Sequence, residues 1–79
     1  MHKTELEYEM KKYGDTQGSL ADSMGLSRAT LNYKINEKNG ASFNQPELKF
    51  MKDRYGLTPE RMVEIFFSRD VSKKDTKAG

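Results

Sequence analysis

Residues 16–36, TQGSLADSMGLSRATLNYKIN, constrain the fold more than any other stretch. Leu20 and Met24 lie four apart and share a helical face, with Ala21 beside them. The first half therefore reads as a short helix whose narrow apolar side carries a methyl small enough to let another helix come close. Gly25 follows the last apolar residue, where a residue of positive φ ordinarily ends a helix, and Leu26 can fold back onto the helix just completed. Ser27 can cap the next helix. There Leu31 and Ile35 recur at four and face inward, whereas Arg28, Ala29, Asn32, Tyr33 and Asn36 fall on a second side. At about 100° per residue the two sets are centred roughly 110° apart. The spacing predicts two short helices across a tight turn, the second with one side to pack and one side free.

The rest of the chain carries helical punctuation of the same kind. Met1 to Lys3 should be a loose start. Thr4 followed by Glu7 fits a capping box, which predicts a first helix running through Leu6 and Met10 to Tyr13, with Gly14 ending it. Leu6, Met10 and Tyr13 form its inward face, and Glu5, Glu9 and Lys12 its solvated one. Either Asp15 or Thr16 can cap the second helix. After the third, Asn36 to Ser42 reads as a loop with a turn signal at Asn39-Gly40. Asn44 and Glu47 then mark a helix start, with Phe43 able to staple onto Leu48; Gln45 competes as the cap because Pro46 prefers the first helical position. Leu48, Met51 and Tyr55 face inward, with Phe50 at the margin, while Lys49, Lys52, Asp53 and Arg54 face out. Gly56 and Leu57 close this helix, and Thr58, Pro59 and Glu60 open the last.

That last helix is apolar on more than one side. Phe66 and Phe67 project about 100° apart, so if Phe66 enters the core, Phe67 or Ile65 is left toward solvent, the alternative being that both aromatics cover a thin core. An exposed apolar patch of this kind usually marks an interface. From Ser68 the chain becomes polar and charged without an apolar period, which predicts a mobile tail over residues 68–79 behind a single domain over residues 1–67. The fold expected is all-α, a compact bundle of about five short helices.

Composition narrows the functional classes. A chain of 79 residues without cysteine has neither disulfides nor a thiolate metal site to support a small core. The only histidine is His2, the stretch Gly14 to Ser19 lacks the lysine and glycine spacing of a phosphate-binding loop, and the carboxylates sit at ion-pair spacing on helix surfaces. Catalysis, a cofactor, a metal and a small-molecule substrate are not expected. No apolar run approaches a bilayer span and no signal-peptide pattern opens the chain, so a cytoplasmic protein is expected, with no membrane partner. The formal net charge is only +2. Residues 1–35 balance five basic against five acidic side chains and residues 36–79 carry nine against seven, an excess too slight to identify a nucleic-acid partner.

The residues Gln17, Leu20, Ala21, Met24, Gly25, Leu26, Ser27 and Leu31 resemble the helix-turn-helix of the lambda-repressor-like family, and the surrounding chain looks most like its small phage repressor or Cro-type members. The motif covers about a quarter of the chain. It departs from the family pattern at Lys34, where many members are apolar and where Ile35 takes over the packing role here. The resemblance implies that the second helix of the motif lies in the DNA major groove with its N-terminal side chains on base edges. It gives Gln17 a phosphate contact, against the alternative of a solvent-exposed glutamine. On the reading helix, which Ser27 opens, Arg28 can donate two parallel hydrogen bonds to guanine or one contact to a phosphate, and Asn32 can pair with adenine. Ala29 or Thr30 can meet a thymine methyl, and Tyr33 can stack on sugar or bond a phosphate. Lys34 and Lys38 stand where this fold usually meets phosphates, with a plain surface loop as the alternative.

The resemblance also implies dimerisation through the last helix, which gives Met62, Ile65, Phe66 and Phe67 as the interface. Together these imply a phage or prophage transcriptional repressor in a bacterial cell, binding double-stranded DNA as a homodimer at an inverted-repeat operator. A different class remains open: a helix-turn-helix scaffold for protein association, such as a phage assembly or adaptor protein, held through the apolar last helix.

Overall fold

The helix ends form from local chemistry. The computed structural model describes residues 1–67, and the expected tail over residues 68–79 lies outside them. The element order is α1 (Lys3–Tyr13), α2 (Gln17–Met24), α3 (Arg28–Asn36), a short 3-10 turn (Lys38–Gly40), α4 (Gln45–Tyr55) and α5 (Pro59–Met62), which widens into a π-type turn over Val63–Phe67. There is no strand among the described residues, and none of their helices is long and apolar enough to cross a membrane. Thr16, not Asp15, caps α2, in a reciprocal box with Ser19. Asn44 and Glu47 form the same box at α4, which settles the cap in favour of Asn44 over Gln45. Gly25 closes α2 at φ 73°, and the Leu26 amide donates back to the Ala21 carbonyl at 2.9 Å. This six-residue closure satisfies carbonyls the helix leaves open and drives Leu26 against the core. Gly56 and Leu57 end α4 in the same way.

Each long helix contributes to one core. Leu6 of α1, Leu20 of α2, Leu31 and Ile35 of α3, Met51 of α4 and Ile65 of the last turn are the largest fully buried side chains. Removing each from water is worth about 1.5–3 kcal/mol. Ala21 is 1 % exposed; α2 packs on α3 here, and the methyl leaves room for that approach.

Several expectations are corrected by contacts between residues distant in sequence. α1 starts at Lys3, not Thr4, and the Thr4–Glu7 box does not form; His2 is the cap and makes no side-chain capping bond. Nor is the start loose. The His2 amide donates to the Ile65 carbonyl at 2.7 Å, the Met1 side chain packs against the core, and the Met1 amine lies 3.3 Å from the Glu37 carboxylate. Docking on the last turn fixes this end without a side-chain cap. Tyr13 is exposed rather than core. It is the final residue of α1 and lays only one edge on the Tyr55 ring, 5.4 Å between centroids.

Glu9 is the reverse case: expected in solvent, it is 5 % exposed. Arg61 reaches it from α5, donating from Nε to Glu9 Oε2 at 2.8 Å while its other nitrogens meet Glu5 and Glu64 at 2.8 and 3.0 Å. A buried carboxylate needs such a partner. These carboxylates, Glu9 first, hold the guanidinium pKa above its usual value. Arg54, expected outward, is half-buried over Asp15, donating from Nε and Nη2 at 2.7 and 2.8 Å. The Ser19 and Tyr55 hydroxyls each donate to the same carboxylate at 2.7 Å. The Arg54 hydrogen bonds, more than any other contact, hold the Asp15 carboxyl well below the usual carboxylate range. Burial, together with the Asp15 contact, pushes the Tyr55 phenol up.

Candidate nucleic-acid interface

Three residues, Gly25, Leu26 and Ser27, separate α2 from α3. A connection this short holds two packed helices at a defined angle. Because Leu31 and Ile35 are buried against the core, the opposite side of α3 must face out. It carries Arg28, Ala29 and Tyr33 exposed and Asn32 half-exposed.

The side chains there divide into held and free. The Ser27 hydroxyl accepts from the Thr30 amide at 3.0 Å and donates to the Thr30 hydroxyl at 2.8 Å. Ser27 and Thr30 thus stabilise the first turn of α3, leaving the Thr30 methyl and its hydroxyl proton for other contacts. Arg28, next to this cap, forms no ion pair with any described residue. Asn32 donates from Nδ2 to Gln17 Oε1 at 3.3 Å, which joins the first residue of α2 to the middle of α3. Tyr33, 46 % exposed, lies under Lys38, whose ammonium sits 5.7 Å from the ring centroid. Lys38 meets no carboxylate among the described residues.

Lys34 does not join this set. Its ammonium donates to both Glu47 carboxylate oxygens, at 2.8 and 3.1 Å, with the two side chains 18 % and 14 % exposed. The charge is neutralised against α4, where Glu47 also completes the helix cap. α3 ends at Asn36 with Glu37 in the left-handed region at φ 54°. The Asn36 amide donates to the Asn32 carbonyl at 2.9 Å and accepts from Lys3 at 3.0 Å. Sequence reasoning did not place Lys3 beside α3. No local signal could, since the two residues are 33 apart and meet only because α1 docks on the last turn.

The predicted dimer residues separate. Met62 and Ile65, expected at the interface, are buried in the core of the single chain. Phe66 is half-buried, its ring edge-on to Phe43 at 6.0 Å. Phe67 is 60 % and Val63 52 % exposed. Phe66 and Phe67 line a groove of about 210 Å³ that runs past Met1, Phe43 and Leu48. Among the described residues no group of three or more His, Cys, Asp and Glu side chains could hold a metal ion.

Comparisons with protein-family models, with curated proteins and with solved structures gave no significant match.

Proposed function

We propose that this chain binds duplex DNA sequence-specifically through α3, as the resemblance to lambda-repressor-like domains implies. The observation that carries the reading is a short α2–α3 turn presenting an outward face on which Arg28 and Lys38 meet no carboxylate. Elsewhere Lys34, Arg54 and Arg61 are neutralised inside the fold. The small net charge therefore understates what this face presents to a phosphate backbone.

Each side chain then has a distinct task. Arg28, at the N-terminus of the reading helix, donates to guanine O6 and N7. The Gln17 carbonyl takes one Asn32 amide hydrogen, leaving that side chain's oxygen and second hydrogen for the adenine edge. Lys38, steadied on Tyr33, contacts phosphate and contributes the salt-dependent part of affinity. Lys34 is left out of the phosphate set. Ala29 and the Thr30 methyl offer apolar contact to thymine.

Two copies would pair through Phe67 and Val63 and meet two half-sites about one helical turn apart, so the site would be an inverted repeat. Occupying it would repress transcription by excluding polymerase. The test is selection of duplexes from a random library at moderate salt, with wild type and the Arg28→Ala, Asn32→Ala double variant in parallel. Enrichment of an inverted repeat by wild type, lost in the variant, is the expected result. No enrichment by folded wild type would sink the reading.

A second reading rests on the exposed Phe67 at its groove and the exposed Val63: a scaffold that binds another protein through this apolar surface. Salt separates the two. Affinity for DNA falls steeply as salt rises, and affinity across an apolar interface does not.

A further inference from the structure

We infer that Asn39 is a site of spontaneous deamidation, and that its conversion weakens DNA binding by the adjacent face. The four asparagines of the chain differ in how their amides are held. Asn32 donates to Gln17, Asn36 is engaged by both Lys3 and the Asn32 carbonyl, and Asn44 accepts from the Glu47 amide at its helix cap. The Asn39 side chain has no partner among the described residues. It is also the one asparagine followed by glycine.

The backbone there is short, exposed and irregular. Asn39 sits at φ 54° and ψ 33° inside the 3-10 turn, and Gly40 at φ 78°. A Cβ built at Gly40 would meet nothing within 4 Å. The Gly40 nitrogen can therefore approach Asn39 Cγ once ψ rotates, with neither a Cβ nor a neighbouring side chain in the way. The observed ψ turns that nitrogen away, so the reaction requires local opening of the turn. It should run more slowly than in the unfolded chain, yet ahead of the other three asparagines.

The step needs only solvent. The Gly40 main-chain nitrogen attacks Asn39 Cγ and a C–N bond forms. The C–NH2 bond breaks and ammonia leaves, carrying the proton from the Gly40 amide. Water then opens the five-membered imide at either carbonyl, giving aspartate or isoaspartate. Either product places a carboxylate beside Lys38, just past the negative end of the α3 dipole. Isoaspartate also lengthens the main chain between Lys38 and Ala41, whose 2.9 Å hydrogen bond closes the turn. The consequence for DNA rests on the function proposed above; the modification itself does not.

The experiment incubates the full chain in mildly alkaline buffer and follows each asparagine by peptide mapping and mass spectrometry. Asn39 should convert first, and Asn39→Gly, which suits the positive φ, should remove that conversion. Conversion of Asn36 or Asn44 as early as Asn39 would overturn the assignment. With the duplex selected by wild type, Asn39→Asp should bind severalfold more weakly at low salt, the gap narrowing as salt rises, while Asn39→Gly binds as wild type. Equal binding by Asn39→Asp would overturn the effect on affinity. A wild type that selects no duplex would refute DNA binding and leave the modification result standing.

Discussion

Asp15 accepts four hydrogen bonds from three side chains, Ser19, Arg54 and Tyr55, and this one carboxylate ties the α1–α2 junction to the end of α4. Its pKa is lowered in the fold, chiefly by the Arg54 hydrogen bonds, whereas an unfolded aspartate titrates near 3.9. The ionised form is thus favoured by folding. Its stabilisation is complete above the unfolded value and is lost as the pH falls through the folded one. Asp15→Asn should cost about 2–3 kcal/mol at neutral pH, because Arg54 loses its counter-charge. In denaturant melts the gap between the variant and wild type should begin to narrow below about pH 4 and keep narrowing as the pH falls further into acid. A gap that stays constant into acid would show that the carboxylate's charge is not what stabilises the junction. A local pattern makes Asp15 a plausible helix cap, yet Thr16 takes that role. The partners that decide the matter, Arg54 and Tyr55, lie 39 and 40 residues away and no local spacing points to them.

At the level of elements, α3 is oriented by more than its turn. Lys34 clamps it to α4 through Glu47, and Gln17 braces it from α2. On the proposed function, Lys34→Met should lower operator affinity severalfold while leaving the slope of log affinity against log salt unchanged. A direct phosphate contact would remove about 0.9 from that slope. Glu47→Gln, which keeps the capping box, should have the same effect, and the double variant should be no worse than either single one. Additive losses, or a shallower slope for Lys34→Met, would return Lys34 to the phosphates. The helix ends were largely legible because caps and left-handed closures are chemistry within a few residues: Ser27, Asn44, Gly25 and Gly56 all act where the sequence places them. The outward side of α3 was legible for the same reason, since Leu31 and Ile35 fix its rotation. Lys34 was not, because period alone leaves it at the margin between core and solvent, where only the neighbouring helix decides its partner.

For the whole molecule, on the proposed function, the apolar surplus at the end of the described chain is what brings two copies together. Met62 and Ile65 complete the core, Phe66 is half-buried, and Val63 and Phe67 remain outside. Sequence shows that a surplus exists; it cannot show how the chain rotates from α5 into the π-type turn, which is what puts Met62 and Ile65 inside and leaves Val63 and Phe67 outside. Phe67→Asp should leave the fold intact and shift the mass in solution from dimer toward monomer, by sedimentation or light scattering, with a loss of operator affinity to match. An unchanged mass would place any self-association elsewhere.

The 2.7 Å bond from the His2 amide to the Ile65 carbonyl links residues near opposite ends of the described chain. Ends usually fray first. Here the start of α1 and the π-type turn cannot separate without breaking that bond, and releasing residues 1–3 also takes Met1 off the core. Hydrogen exchange of the His2 amide should therefore track that of the interior rather than that of a loose end, and the domain should open as one cooperative unit.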